Sequence, residues 1–497
     1  MSCDEKKERV PLLMDSLASM RNPQYALDGQ RVRDNLYRIM MADKDRIDID
    51  RHVRRRYRDG ADMLWVSRNG VTAKADTVLA WLDSLEASGF RRGFLSCETI
   101  RHDLATVRTL AFAQDEGQDD AVNTVYARLE YNLTKAYLRY VIGQRFGFVD
   151  PVAMFNRVDK TEPDSMCRTY RVLYDISTAK ADAAFIDAAC RAVAYGSVDE
   201  FMRLSRPDNP MYDSLAAIVS GELSPSRRRL CLVNMERCRW RQQTYPELHA
   251  RRVVVNLPSQ QVVATDSSET LTMRVAIGAL STKTPLLTGV ISRMDFNPQW
   301  VIPKSIVKSS VCVHAGDPTY FAAHNYIIIH RPTGKEVDPE HVTHDMLLSK
   351  DYSVVQRGGE GNSLGRVIFR FDNSHAIYMH DTSSPKVFAR SLRAVSHGCI
   401  RLERPFDMAV FLLGDKDEKT LEKIRYTMTV DDRQKDGVET PPVNRSMLLR
   451  SLKVEPHVPV FITYYTLLPD GKGGVVSLPD IYGYDEIIYD KIRDFVR

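Results

Sequence analysis

The sequence predicts an α+β protein in which an all-helical N-terminal domain precedes a β-rich domain. Apolar residues recur at helical spacing up to about residue 240, for example over residues 79–85 and 131–142. At Arg251 the pattern changes to short β-branched or alternating runs that are typical of strands. A chain of 497 residues is also too long for one ordinary core. We therefore expect a helical domain over 1–240 and a β-rich domain over 251–497.

The helical half is interrupted by Pro and Gly at the expected breaks between helices, as in residues 148–151 and 205–210. Residues 171–221 continue the helical pattern. In the second half, a helix is expected to begin near Pro405 and to include residues 408–413. Strands are predicted at residues 251–258, 262–264, 271–277, 326–329, 365–371, 376–379 and 458–465.

The charge balance excludes a strongly basic protein. The chain has 69 Lys and Arg residues against 65 Asp and Glu, a net charge of +4, so nothing suggests a nucleic-acid partner. The basic run at residues 51–58 is interpreted as a solvated helix face, and contact with an anionic polymer or a lipid surface is the alternative. No run approaches the roughly 18 to 20 apolar residues that cross a bilayer.

The eight cysteines do not form the pattern of a disulfide scaffold or of a structural zinc site, because no Cys-x-x-Cys pair is present. Cys231 and Cys238 lie in a predicted helix, about 10.5 Å apart along its axis, which is too far for a bridge. Residues 1–7 resemble the start of a bacterial lipoprotein in which an initiator Met has replaced the signal peptide. Cys3 would then be the lipidated residue, and a chance surface cysteine is the alternative.

The segment Ser396-His-Gly-Cys-Ile-Arg401 concentrates reactive groups. A cysteine becomes a nucleophile when a base takes its proton, and histidine is the usual base. Gly398 permits a tight turn that can direct successive amide groups at one point, as an oxyanion hole requires. His380 precedes Cys399 by 19 residues, which allows a strand, a loop and a return.

Two other interpretations fit these residues alone. The tetrapeptide 396–399 can be an inert turn. Alternatively, a metal such as zinc can be bound by a set of nearby ligands, namely His375, His380, His397 and Cys399.

The spacing from His380 to Ser396-His-Gly-Cys399 resembles the motif of L,D-transpeptidases of the YkuD type. Similarity to the large Gram-negative branch of that family extends in order over about residues 230–490. Residues 304–354 fall where that branch carries a capping insertion over the active site. The segments that carry the resemblance are 133–140, 147–151, 234–240, 255–258, 283–289, 296–303, 362–365 and 480–483.

The resemblance implies roles for individual residues. Cys399 is the expected nucleophile and His380 the base, oriented through Nδ1 by a nearby backbone carbonyl, for which that of Asp381 is expected rather than its carboxylate. The amides of Gly398 and Cys399, helped by His397, are expected to form the oxyanion hole. Substrate binding is assigned to Tyr378, Ser396 and Arg401, and for Arg401 an ion pair with Glu403 is the alternative. Asn297 and Trp300 are expected to be turn and core residues.

The resemblance also implies a function: formation of 3→3 cross-links between peptidoglycan stem peptides through a cysteine acyl-enzyme, without metal or cofactor. Carbapenems are expected inhibitors. The periplasm or cell envelope is the expected location, with a lipid anchor at Cys3. Open alternatives are an L,D-carboxypeptidase, attachment of a protein to the wall, a non-catalytic wall-binding protein and a metal-dependent hydrolase. The Gly-rich wall-binding repeat common in this branch is not recognisable.

Overall fold

The computed structural model describes residues 27–497 except 46, 68–69, 113–119, 162–168, 415–416, 431–441 and 471–473. The predicted lipidation site, Cys3, lies outside the described residues. The N-terminal half contains mainly helices, as predicted: α1 Gly29–Ala42, α2 Asp50–Arg58, α3 Lys74–Ala87, α4 Cys97–Thr109, α5 Ala121–Phe146, α6 Pro151–Phe155, α7 Ala183–Tyr195, α8 Val198–Leu204, α9 Pro210–Val219 and α10 Pro225–Arg239. A small hairpin, β1 Val66–Ser67 and β2 Gly70–Val71, lies between α2 and α3.

Helix α5 is the centre of this half, with α1 to α4 and α10 packed around it. It is buried on nearly all sides, so its few charged side chains need internal partners. Glu130 accepts hydrogen bonds from the amides of Leu64 (2.7 Å) and Trp65 (2.9 Å). Arg139 binds both carboxylate oxygens of Asp50, at 2.8 and 2.6 Å. These contacts fix the first residue of α2 and the segment after α2 against the central helix.

The second half is built on a sheet that closes on itself, since β12 pairs with both β13 and β7. The order around the ring is β12, β13, β15, β6, β5, β4, β16 and β7, and β14 pairs in parallel with β6. The strands are β4 Arg252–Asn256, β5 Gln261–Thr265, β6 Thr270–Gly278, β7 Leu286–Phe296, β12 Val367–Phe371, β13 Met379–His380, β14 Ala394–Ser396, β15 Ile400–Leu402 and β16 Ser451–Thr463.

A separate small unit is inserted between β7 and β12, in the region of the predicted capping insertion. Its four-stranded sheet has the order β10, β9, β11, β8, and its apolar core is its own, around Val307, Phe321 and Leu347. Its elements are β8 Trp300–Val301, α11 Lys304–Ile306 continuing as a π-helix over Val307–Val311, α12 Pro318–Ala323, β9 Tyr326–His330, β10 Lys335–Val337, α13 His344–Leu348 and β11 Tyr352–Gln356. We call residues 300–356 the cap.

The rest of the second half contains the helix expected near Pro405 and further elements after it. These are α14 Pro405–Leu413, α15 Glu418–Thr429, the hairpin of β17 Leu467–Pro469 with β18 Val475–Ser477, and α16 Tyr484–Ile492.

Helix α10 joins the two halves through buried polar contacts. The carboxylate of Glu236 accepts from the amides of Phe148 (2.7 Å) and Val149 (3.0 Å), and Arg237 pairs with Asp485 at 2.6 Å. The end of the chain also returns to the helical half, where the amide of Arg497 donates to the carbonyl of Gly89 at 2.9 Å. The two halves therefore share one apolar core.

Two local predictions are only partly right. Residues 171–221 contain helices α7, α8 and α9 as expected, but Tyr174–Asp175 form strand β3, which pairs in parallel with β7 of the large sheet. Of residues 376–379, which were expected to form a strand, only Met379 belongs to β13. The preceding residues form a turn, in which Asn373 binds the backbone of Ile377 through both its Nδ2 and Oδ1 atoms. Within the described part of the chain, no helix has the length and apolar character to cross a membrane.

Replacement of Glu130 by Gln should lower the free energy of unfolding by at least about 2 kcal/mol. The Gln side chain has only one acceptor oxygen, so its NH2 group would face a buried backbone N–H group and leave it without a hydrogen bond. Chemical denaturation monitored by circular dichroism measures the change. Glu222→Gln on the surface is the matched control, with a change below about 0.5 kcal/mol. Equal stability of both variants would contradict the assigned role of Glu130.

Candidate active site

Four of the predicted site residues lie in or directly before two adjacent strands. Strands β13 and β15 run in parallel, with Met379 opposite Ile400 and His380 opposite Arg401. Met379 and Ile400 are fully buried and point into the core. Because side chains alternate along a strand, the residues on either side of this pair point to the opposite face. That face therefore carries a compact array of Tyr378, His380, Cys399 and Arg401.

The loop that holds Cys399 is fixed by hydrogen bonds within the motif. Gly398 has φ +115°, and a Cβ atom there would lie 3.2 Å from the Ile377 side chain, so the position requires glycine. The buried hydroxyl of Ser396 donates to the carbonyl of Cys399 at 2.6 Å and accepts from the amide of Gly398 at 3.1 Å. Ser396 thus supports the loop.

Two residues outside the motif continue this support. The hydroxyl of Thr284 donates to the carbonyl of Gly398 at 2.8 Å and accepts from the amide of Gly278 at 2.9 Å. The hydroxyl of Tyr482 accepts from the amide of Thr284 at 3.2 Å and donates to the carbonyl of Gly278 at 2.6 Å. Thr284 and Tyr482 were not among the residues predicted from the sequence, although both lie in segments that carry the family resemblance.

These contacts revise two expectations. The side chain of Ser396 is occupied inside the loop, so we no longer assign it to substrate binding. The amide of Gly398 already donates to Ser396, so in this conformation it is not directed at an oxyanion. The amide of Cys399 and the exposed ring of His397 stay candidates for that role. Partial burial and the nearby charge of Arg401 lower the pKa of His397, which favours its neutral form.

The thiol of Cys399 lies in a largely desolvated site. Its Sγ atom is 3.8 Å from the carbonyl of Ala376, a residue with the left-handed φ of 52°. Burial raises the pKa of Cys399 to about 11, although hydrogen bonds from the Tyr378 amide and hydroxyl and the charge of Arg401 act in the opposite direction. Tyr378 is therefore positioned to stabilise the thiolate form once the proton leaves.

His380 is 4% exposed and neutral at physiological pH. Burial, with a contribution from Arg401, lowers its pKa to about 4, and the backbone carbonyls of Asp381 and Leu364 act in the opposite direction. Both carbonyls lie near the ring, yet its Nδ1 atom makes no hydrogen bond of standard geometry within the described residues. A neutral imidazole can accept a proton, so His380 is in the protonation state of a base.

The carboxylate of Asp381 binds the backbone and makes no hydrogen bond to His380 in the described structure. It accepts from the amides of Arg366 (2.8 Å) and Thr382 (2.7 Å) and packs against Gly365, where a Cβ atom would lie 2.4 Å from its Cγ atom. Burial raises the pKa of Asp381. This arrangement agrees with a role for the Asp381 backbone, and not for its side chain, next to His380.

Arg401 lies at a cleft of about 450 Å³ beside the array. Its predicted alternative partner, Glu403, is instead held by Arg274, with Nε to Oε1 at 2.9 Å. No carboxylate pairs with Arg401 among the described residues, and its Nε atom is buried without a hydrogen bond. A free guanidinium at a cleft is suited to bind a carboxylate. Other cleft residues are Ser383, Ser384, Lys386 and Arg390.

The cap contacts this site through Trp300, which was expected to be only a core residue. Its indole group is hydrogen-bonded to the hydroxyl of Tyr378, which also binds Cys399. The predicted turn residue Asn297 has a left-handed φ of 44° and binds the carbonyl of Thr427 at 3.0 Å. Trp300 therefore links the cap to the nucleophile, whereas Asn297 has a structural role.

The proposed metal ligands do not come together. Among the described residues, one group of three potential ligands lies within 4.8 Å, and it consists of Asp83, Glu86 and Cys97 in the helical half. His375 instead binds Asp175 at 3.0 Å. Among the described residues, Cys399 and His380 therefore lie at neighbouring strands without a third potential ligand close to both.

Comparison with known proteins agrees with this geometry. Residues 250–422 match the L,D-transpeptidase catalytic domain, and residues 51–217 match the family model described as the Scaffold domain. A curated protein of Haemophilus influenzae named "Putative L,D-transpeptidase" is 29% identical over 319 residues. This match spans 62% of the present chain and 60% of the relative's length. Residues 250–422 are thus identified with the L,D-transpeptidase catalytic domain, and residues 51–217 before them with the scaffold domain.

Proposed function

We propose that this protein is a peptidoglycan L,D-transpeptidase that forms 3→3 cross-links, with Cys399 as nucleophile and His380 as base. The observation that carries the proposal is the array of a half-buried thiol, a neutral imidazole and an unpaired guanidinium in or directly before β13 and β15. The family match adds the substrate class, the stem peptides of peptidoglycan.

The reaction has two acyl-transfer steps. The sulfur of Cys399 attacks the carbonyl carbon of the third residue of a tetrapeptide stem while His380 takes the thiol proton. The C–S bond forms, the C–N bond to the terminal D-alanine breaks, and the proton passes to the leaving amine. The side-chain amine of a second stem then attacks the thioester carbon, so a C–N bond forms and the C–S bond breaks. The amine gives up a proton to His380, which returns it to the sulfur of Cys399.

The charge states of Cys399 and His380 in the resting site favour transfer of the thiol proton during attack of the sulfur on the carbonyl carbon. Both Cys399 and His380 are neutral at pH 7, so the nucleophile is stored as a thiol and not as an ion pair. The Tyr378 hydroxyl and Arg401 are in place to stabilise the negative sulfur. Arg401 would in addition bind a substrate carboxylate. We further propose that the reaction takes place at the cell envelope, that carbapenems acylate Cys399, and that Cys3 carries a lipid.

Incubation with a synthetic tetrapeptide stem should yield the 3→3 dimer and free D-alanine, because a second stem supplies the amine. Liquid chromatography with mass spectrometry identifies the products. Cys399→Ala should lose both products, by at least about 10³-fold, whereas Cys312→Ala in the cap, with its buried thiol, is the matched control that keeps activity.

The same experiment separates the competing functions. Release of D-alanine without dimer, whatever the amine concentration, would indicate an L,D-carboxypeptidase. An intact stem with the folded wild-type protein would contradict any acyl transfer and leave a wall-binding role.

Alkylation of Cys399 by iodoacetamide should be slow at pH 7 and increase about tenfold per pH unit up to pH 10. With a pKa of about 11 the thiolate fraction at pH 7 is roughly one in ten thousand. The His380 pKa of about 4 adds no step between pH 5 and 8, since the ring stays neutral there. Peptide mass spectrometry measures the rate at this residue.

Tyr378→Phe removes a hydroxyl that stabilises the thiolate, so its alkylation should be slower than in wild type at each pH up to 10. Tyr195→Phe, at a residue that is 82% exposed, is the matched control with an unchanged rate. A fast rate that is independent of pH from pH 6 upward would instead indicate a preformed ion pair of Cys399 with His380.

A further inference from the structure

A large cavity lies in the scaffold domain, apart from the residues of the catalytic array. It has a volume of about 830 Å³, within the range of about 300 to 1,000 Å³ that is usual for ligand sites. Helices α5, α7 and α8, the segment before α7, the loop between α8 and α9 with the start of α9, and the start of the connection after α10 line it. A second cleft, of about 210 Å³, shares Phe146, Ala179 and Lys180 with the cavity. We call the two together the scaffold groove.

Three half-buried aromatic rings form the apolar wall of the cavity. Phe146 and Phe185 are in edge contact, with ring centroids 4.9 Å apart, and Phe185 contacts Phe201 at 5.4 Å. All three rings line the open volume and stay partly exposed in the described structure. Partly exposed aromatic rings in a concave site provide contact area for a ligand with apolar groups.

Four arginines line the same cavity, and two of them, Arg203 and Arg206, form ion pairs with Glu200 and Asp213. Arg145 donates to the carbonyl of Leu204 at 2.8 Å and, among the described residues, has no carboxylate within ion-pair distance. Arg241 pairs with Asp208, and burial together with repulsion by the charge of Arg145 lowers the pKa of Arg241. Two guanidinium groups that repel each other in a cleft gain stability when an anion binds between them.

The remaining charges distinguish between classes of anion. Asp182, Asp208 and Asp213 also line the cavity, so a continuous polyanion would be repelled along its length. The second cleft adds Arg51 and His52, from the start of the basic run, and also Asp48 and Asp150. Such mixed charges next to aromatic rings suit a peptide with a free carboxylate, apolar side chains and an amine.

We propose that the scaffold groove binds a carboxylate-bearing peptide, with the carboxylate between Arg145 and Arg241 and apolar groups against the three phenylalanines. The proposal rests on the proposed function for the source of the peptide, a peptidoglycan stem. On this basis the scaffold domain retains a peptide of the wall at a second site, which gives the helical half a binding role without the wall-binding repeat.

Isothermal titration of a synthetic tetrapeptide stem into the full chain with Cys399→Ala tests this proposal without turnover. We expect two classes of binding. In the same background, Arg145→Gln with Arg241→Gln should weaken one class at least tenfold, and amidation of the peptide C-terminus should do the same to that class. Arg401→Gln should affect only the other class. Arg33→Gln with Arg227→Gln, at exposed arginines outside the groove, is the matched control with no effect.

Thermal unfolding of each variant establishes that it is folded. If Arg241→Gln is unstable, the single variant Arg145→Gln and the amidated peptide still test the proposal. An isotherm unchanged by the groove variants, or equal binding of free and amidated peptide to the groove, would overturn the proposal. So would arginine-dependent binding of polyphosphate or of a peptide-free glycan strand in place of the peptide. If the proposed function fails instead, only the class sensitive to Arg401→Gln is lost.

Discussion

The parallel pairing of β13 with β15 is the constraint on which the rest of the site depends. It sets Tyr378 and His380 beside Cys399 and Arg401, although the two pairs of residues are well separated along the sequence. The pairing is held from the core side by the fully buried Met379 and Ile400, so the reactive face is supported by apolar packing. A shift of one residue in this register would turn the array into the core.

Support for the nucleophile extends well beyond its own loop. Ser396 holds the amide of Gly398 and the carbonyl of Cys399, and Thr284 holds the carbonyl of Gly398. Tyr482 in turn links Thr284 to the carbonyl of Gly278 at the end of β6. Tyr482 comes from the C-terminal part of the chain, which also packs against the scaffold domain through its last residues. The position of the loop therefore depends on packing contributed by both halves, and this dependence explains why the catalytic sheet and the scaffold share one apolar core.

The sequence predicted the class of each half, and most strands, because periodicity reports which face of an element is buried. It predicted Cys399 and His380 because their spacing fits a known motif. It could not predict that Tyr174 and Asp175 join the catalytic sheet, since a two-residue strand has no period. Nor could it assign Thr284, Trp300 or Tyr482.

Hydrogen bonds between distant segments produce no pattern in the local sequence. For this reason the pairing of Glu403 with Arg274, which leaves Arg401 without a carboxylate partner among the described residues, could not be predicted either. The neutral state of both Cys399 and His380 also follows from burial, which only the folded chain defines.

We propose that Cys399 is an acyl-accepting nucleophile activated by His380. Intact-mass spectrometry after incubation with a carbapenem tests this role, on wild type, Cys399→Ala and His380→Gln. We expect a single adduct on wild type, none on Cys399→Ala, and formation at least about 10²-fold slower on His380→Gln. An unmodified wild-type protein that also leaves a tetrapeptide stem intact, or an adduct that persists in Cys399→Ala, would contradict it.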